Sequence, residues 1–211
     1  MSLYNTKINI YNCDCMTAMK DMEDNQFDLA IVDPPYELPK RSGQGAGKLQ
    51  NRKIQEMHKL GWDIAPTKEY FDELFRVSKN QIIWGGNYFG DYLGKTRGII
   101  CWDKKQHWEN FSAWEMAWTS FDCVARIFRY STTAVRNKIH PTQKPVQLYK
   151  WLLEKYANEG DKILDTHLGS GSSALASDDL KFEFSGYEIN EDYFNNAIKR
   201  LEEQQKQKTF F

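Results

Sequence analysis

The sequence predicts an α/β fold built on one mostly parallel β-sheet. Two observations carry this. Short apolar runs alternate along the chain with segments of helical period. Several of those runs also stop abruptly at a carboxylate, a proline pair or a glycine pair, as buried strands do at the edge of a sheet. The 211 residues suit one domain with a sizeable core.

The elements follow in order. Lys7 to Tyr11 reads as a short strand and Asp14 to Met22 as a helix. Phe27 to Val32 (FDLAIV) is a buried strand that ends at Asp33-Pro34-Pro35, since two prolines cannot continue a ladder. Residues 37 to 62 hold Gly43, Gly45 and Gly47 without a clear period and read as a mobile loop. Thr67 to Val77 is an amphipathic helix, with Tyr70, Phe71, Leu74, Phe75 and Val77 at helical spacing. Gln81 to Trp84 and Gly98 to Trp102 are strands, the first closed by Gly85-Gly86. From Trp114 to Trp118 the pattern alternates, and Phe121 to Tyr130 is expected to pair with that strand as a hairpin. Val146 to Ala157 is a helix, with Pro145 as its first residue and Gly160 as its stop. Lys162 to Thr166 is a strand leading into Gly169-Ser170-Gly171 and a helix from Ser172. Phe182 to Tyr187 is the last strand. A final helix packs Tyr193, Phe194, Ala197, Ile198 and Leu201 and is expected to fray at EEQQKQK.

Composition narrows the class. Hydrophobic residues make up 41%, which places the chain among globular proteins. No apolar run is long enough to span a bilayer, and the start lacks the basic-then-apolar order of a secretory signal. Cys13, Cys15, Cys101 and Cys123 form no zinc-like spacing, so free thiols in a reducing cytoplasm, with no metal, are the expectation. Net charge is -1, so the balance alone gives no sign of nucleic acid. The distribution says more. Lys40, Arg41, Lys48, Arg52, Lys53 and Lys59 crowd one segment, and Arg126, Arg129, Arg136, Lys138 and Lys144 another that has no acid. Either run is also what a solvated surface looks like.

Two motifs carry chemistry. In Ile163 to Ser173 (ILDTHLGSGSS) a strand ends in Asp165 and a GxG turn, and a helix begins at once. Glycines let a ligand approach the backbone, and the helix N-terminus offers unpaired N–H groups. The next strand ends at Glu188, where a carboxylate can hold the two hydroxyls of a ribose. GxG alone is also an ordinary tight turn. The Asp165, GxG and Glu188 set is a half-Rossmann nucleoside site. Asp33-Pro34-Pro35-Tyr36 is the second motif. Asp33 and the Pro34 carbonyl can accept from one amino group, and Tyr36 offers a flat face to a base. A planar aromatic amine is a poor nucleophile because its lone pair is delocalised. Two acceptors favour the pyramidal geometry that exposes it, ready for in-line displacement on a methyl donor. A bare DPP is also a rigid turn after a strand.

DPPY with a strand–DxxxGSG turn resembles the amino-methyltransferases of DNA, the N6-adenine and N4-cytosine family. His140-Pro141-Thr142-Gln143-Lys144-Pro145 matches that family's HPTQKP segment, and residues 82 to 89 (IIWGGNYF) also resemble it. Catalytic motif first and glycine turn last is the order of the β class, a circular permutation of the usual layout. The resemblance covers nearly the whole chain. It implies a single Rossmann-like class I methyltransferase domain over 1–211, with a seven-stranded sheet and helices on both faces. It implies S-adenosylmethionine as cofactor. Asp33, Pro34, Pro35 and Tyr36 would hold the base. Asp165, Gly169, Ser170, Gly171 and Ser172 would border the methionine part, with Asp33 beside it. Glu188 would hold the ribose and Asp14 would lie near the cofactor adenine. Thr142 and Lys144 would lie near the methionine carboxylate, with His140 close by; His140 is equally a loop histidine that merely packs.

Family members usually read DPFxGSGTT, where this chain has Thr166 and His167. His167 would then stack on the cofactor as the usual Phe does. The implied activity is methylation of adenine N6 after base flipping. The alternatives are an N4-cytosine enzyme, whose members more often carry Ser at the position of Asp33, and a DNA-binding relative that has lost catalysis. DNA contacts are expected from the loop 37–62 over the active site and the variable region 103–139, through Lys40, Arg41, Lys48, Arg52, Lys53, Arg126, Arg129, Arg136 and Lys138. Trp108, Phe111 or Tyr130 would wedge or stack. A homodimer, a cognate restriction nuclease and the cytoplasm of a bacterial or phage-infected cell complete the expectation.

Overall fold

A computed structural model of the protein describes residues 8–36, 64–106, 112–131 and 142–209. The strands are β1 (Ile8–Tyr11), β2 (Phe27–Val32), β3 (Ser78–Trp84), β4 (Ile99–Asp103), β5 (Trp114–Thr119), β6 (Arg126–Arg129), β7 (Lys162–Asp165) and β8 (Glu183–Tyr187). They form one sheet in the order β1-β8-β7-β2-β3-β5-β4-β6. The helices are α1 (Cys15–Met19), α2 (Lys68–Val77), α3 (Val146–Tyr156), α4 (Ser172–Leu180) and α5 (Glu191–Thr209). The expected parallel sheet is present, with eight strands rather than seven. Among the described residues only β5 runs against the others: it pairs antiparallel with both β3 and β4, while every other pairing is parallel.

The carboxyl-terminal halves of β2 and β3 are apolar and buried because both faces are covered there. On β2, Leu29 and Ile31 join one core with Ile82, Trp84, Leu148, Leu152 and Ile163. Ala30 and Val32 point the other way, into a core with Ile83, Phe71, Leu74 and Leu164. The strand period of two thus sends alternate residues to α3 on one side and α2 on the other. Asp28 stands at the strand's polar start, where it pairs with Lys79 at 2.6 Å and accepts from the Lys162 N–H at 2.9 Å.

Three local expectations need correction. β6 pairs with β4, in parallel, and makes no hairpin with β5, which is already bordered by β3 and β4. Pro145 is the N-cap of α3 rather than its first helical residue. The C-terminal helix does not fray at residue 202. Its last turns are tied to the buried Asp178 of α4 by Gln204 (3.2 Å), Gln205 (3.0 Å) and Lys208 (2.5 Å). A buried carboxylate needs such partners, and the polar run supplies them.

The strand order reverses between β7 and β2. From β7 the chain winds through α4 to β8 on one side; from β2 it continues through α2 to β3 on the other. Such a switch point opens a crevice at the carboxyl ends of its two strands, where α/β sheets bind ligands. Leu29 and Ala30 pair with Ile163 and Leu164. The two sequence motifs, at Asp33 and Asp165, therefore leave the sheet side by side.

Candidate active site

Asp33 follows the last residue of β2 and has a partner on each oxygen. Oδ1 accepts from the Tyr36 hydroxyl, three residues on, and Oδ2 from the Lys144 ammonium. The Tyr36 ring lies over Gly85, which adopts φ +70°; a Cβ there would stand 2.1 Å from the ring. Only glycine meets both demands. Tyr36 stacks on Tyr88 with centroids 4.9 Å apart and meets the edge of Phe89 at 6.0 Å. Burial first, then the charges of Asp33 and Glu115, raise the Tyr36 phenol well above its usual range, so it stays a donor.

Lys144 is almost wholly buried, its side chain 3% exposed. Its ammonium also meets Glu115 Oε2 at 3.1 Å and lies 5.2 Å from the centre of the Trp84 ring. Glu115 Oε1 in turn meets Lys104 at 2.5 Å, and Lys104 sits over Trp102 at 5.4 Å. Burial opposes the charge on Lys144, but Asp33 and Glu115 outweigh it and raise its pKa. Burial also pushes Glu115 up, and Lys144 with Lys104 bring it below the usual carboxylate range. Both groups are ionised at neutral pH. The result is an alternating chain, Lys104–Glu115–Lys144–Asp33–Tyr36.

On the β7 side, Asp165 is buried and both its oxygens are bonded. Oδ1 accepts from the His167 N–H at 3.0 Å and Oδ2 from the Ser173 hydroxyl at 2.5 Å. Burial raises Asp165 to about 7, despite those two bonds and with help from Asp33 and Glu188. Gly169 and Gly171 both take the left-handed conformation, at φ 52° and 74°. Glu188 closes the turn: Oε2 accepts from Gly169 N–H at 2.8 Å and Oε1 from Asn190 N–H at 2.9 Å. Burial raises Glu188 in spite of these bonds. Ser170 and Ser172 hydroxyls meet at 3.1 Å. Asp14 caps α1, its Oδ2 accepting from Thr17 N–H at 2.9 Å and Oγ1–H at 2.8 Å.

Thr166 and His167 have a specific setting. The Thr166 hydroxyl lies 2.6 Å from the Tyr70 hydroxyl and 3.0 Å from His167 Nδ1. The Tyr70 and His167 rings meet edge to face at 5.2 Å. Burial lowers His167 to about 4, with Asp14 opposing, so the ring is neutral at pH 7.

The structure thus gathers Asp33, Pro34, Pro35, Tyr36, Lys144, Asp165, His167, Gly169, Ser170, Gly171, Ser172 and Glu188 at one edge of the sheet. The Lys144 ammonium is held by Asp33 and Glu115. The Tyr36 ring is stacked on Tyr88. Arg126 and Arg129 lie on the edge strand β6, with Arg129 3.5 Å from Asp103. Lys40, Arg41, Lys48, Arg52, Lys53, Arg136, Lys138 and His140, with Trp108 and Phe111, lie outside the described residues. Sequence reasoning missed Tyr70, Tyr88, Lys104 and Glu115. Glu115 left one trace, as the lone acid in an alternating aromatic strand.

An acid motif and a nucleoside-type glycine turn at a shared switch point define a group-transfer enzyme of the nucleotide-binding α/β class. A sequence profile of the N6/N4 DNA methylase family matches residues 83–199. The chain belongs to that family. It is 28% identical to the type II methyltransferase M.HpaI of Haemophilus parainfluenzae, over 90% of this chain and 72% of that one. To M2.MboI of Moraxella bovis it is 25% identical, over 92% and 88%. The fold matches M1.HpyAVI, solved as a SAM complex, with a TM-score of 0.63 and 20% identity over 92% of this chain and 98% of that one. It also matches the cytosine-N4-specific PvuII DNA methyltransferase, with a TM-score of 0.65 and 12% identity over 95% and 90%.

The cofactor of this family is S-adenosylmethionine, which supplies a methyl group on a positively charged sulfur. The site suits such a group. Burial raises Asp165 and the neighbouring carboxylates of Asp33 and Glu188 add to it, and a cation nearby relieves that cost. The Glu188 carboxylate, with about four acceptor sites, has capacity beyond its bonds to Gly169 and Asn190 for a ribose hydroxyl.

Proposed function

We propose that the protein methylates the N6 amino group of adenine in DNA, with the base flipped out of the helix to Asp33. The observation that carries the reading is the pairing of β2 with β7, which sets Asp33 beside the glycine turn. Asp33 and the Pro34 carbonyl accept from the two amine hydrogens. S-adenosylmethionine, when bound, would supply the methyl group, and Asp33 with the Pro34 carbonyl would hold the amine nitrogen with its lone pair turned toward it. The methylated nitrogen then sheds one proton to Asp33 or water. Glu188 takes the ribose, Asp14 borders the adenine, and Asp165, Gly169, Ser170, Gly171, Ser172 and Thr142 surround the methionine part, with His167 packed alongside. Lys144 serves Asp33 in this reading. Asp at the head of the motif, where cytosine enzymes more often carry Ser, favours adenine. Phosphate contacts are assigned to the basic segments named above, and the type II relatives make a partner nuclease the natural context.

Transfer of tritiated methyl to unmethylated bacterial chromosomal DNA, followed by mass spectrometry of the nucleosides, tests it. The expected product is N6-methyladenine; N4-methylcytosine would transfer the chain to the other branch of the family. Asp33→Ala should cut turnover by about a hundredfold or more while sparing cofactor binding, the usual effect of removing a transition-state acceptor.

A further inference from the structure

β5 enters the sheet from the carboxyl edge of its neighbours, because it alone runs in reverse. Its second residue, Glu115, therefore stands at the edge where β2, β3 and β4 end, across from Trp102. There it shares the Lys144 ammonium with Asp33 and is itself held by Lys104. Burying two carboxylates and an ammonium is costly, and a fold seeking stability alone does better with apolar residues there. The arrangement matters at the moment a substrate amine arrives. Asp33 must turn acceptor capacity toward that amine. If Lys144 had Asp33 alone, this would strand a buried cation. Glu115 gives the ammonium a second partner.

We infer that Glu115 is a positioning residue for methyl transfer: it retains Lys144 while Asp33 engages the target amine, and Lys104 fixes Glu115 in that place. This rests on the reading that Asp33 receives the amine. The groups facing the Glu115–Lys144 pair are Asp33 and Tyr36 after β2, Lys104 after β4 and Tyr149 on α3.

The test compares wild type, Glu115→Gln and Glu115→Asp, using unmethylated bacterial chromosomal DNA and tritiated S-adenosylmethionine. Glu115→Gln should lower kcat by roughly 10–100-fold, the range for a group acting on transition-state charge, with the KM for cofactor little changed. Loss of the Glu115 charge lets Lys144 deprotonate more readily and leaves Asp33 as its sole anion, so both limbs of the kcat–pH profile should move to lower pH. Glu115→Asp should return the limbs toward their wild-type positions. Unchanged kcat and profile in Glu115→Gln would overturn the inference. So would equal losses in both variants with unmoved limbs, which is what a purely structural role gives. Asp33→Ala is the control for the underlying reading. If it retains turnover, the reading itself fails; if it is inactive while Glu115→Gln is normal, only the role of Glu115 fails.

Discussion

The hydroxyl of Thr166 lies 2.6 Å from the hydroxyl of Tyr70, joining the end of β7 to α2. This contact explains how the chain carries Thr-His where its family usually carries Pro-Phe. A buried threonine needs a partner, and the first turn of α2 provides one. Tyr70→Phe should therefore cost about 0.5–1.5 kcal/mol of stability, the net worth of one hydrogen bond, since the Thr166 hydroxyl keeps His167 Nδ1 as a partner. In the double variant Tyr70→Phe, Thr166→Val the loss should be smaller than the sum of the single losses. Urea unfolding of the four proteins gives the coupling energy directly; strict additivity would show that the contact carries no stability.

Asp165 and His167 should oppose each other in the pH dependence of stability. Asp165 is raised to about 7 in the folded chain from a reference of 3.8. Between those values the folded state binds the extra proton, so this group's contribution falls as pH rises from about 4 to about 7. His167 is lowered to about 4 from 6.5. Over that window the unfolded state binds the extra proton, so its contribution rises with pH from about 4 to about 6.5. Asp165→Asn should leave a stability curve that climbs more steeply through this range than wild type. His167→Phe should leave one that descends relative to wild type. Thermal unfolding from pH 4 to 8 checks both signs.

Glu188 joins two stretches of backbone, Gly169 and Asn190, besides facing the proposed ribose site. Its removal should act twice. Glu188→Ala should weaken cofactor binding by about tenfold or more, and should also lower stability by about 1–3 kcal/mol, because the Gly169 and Asn190 N–H groups lose a charged acceptor. Calorimetric titration and denaturant unfolding separate the two effects. A variant with normal cofactor affinity would remove Glu188 from the ribose contact while leaving its bracing role intact.

Gly85→Ala places a methyl group 2.1 Å from the Tyr36 ring on a backbone with positive φ. Strain at such a residue costs on the order of 1–3 kcal/mol. Displacement of Tyr36 should carry Asp33 out of line, so turnover should fall further than the unfolding free energy alone implies. A variant as stable and as active as wild type would show that the ring has room to move.

Much of this site was legible in the sequence because each half of it is local. FDLAIV followed by DPPY is one strand and its end; ILDTHLGSGSS is another with its turn and helix. Their neighbourhood in the sheet follows from topology once the strands are known to be parallel. What escaped is what depends on one strand running in reverse. In WEMAW, Glu115 looks like the outward residue of a hairpin. It is internal because β5 is inserted between β3 and β4, an order that nearest-neighbour pairing does not suggest. Tyr70 was visible only as one apolar position on a helix face; its hydroxyl found a purpose at a residue 96 positions away. The persistence of α5 through EEQQKQK was hidden for the same reason, since the decisive carboxylate, Asp178, belongs to another helix.

Asp33 and Lys144 are 111 positions apart in the chain. Ribosomes add roughly 5–20 residues per second, so Lys144 emerges about 5–20 seconds after the carboxylate it neutralises. Until then the nascent chain holds an acid motif with no ammonium to settle it, and no β7 against which β2 can close. The enzyme's reactive edge thus cannot consolidate until Lys144 and β7 have been made. A truncated product ending between Tyr36 and Lys144 would carry the recognisable catalytic motif and yet lack both its ammonium and β7.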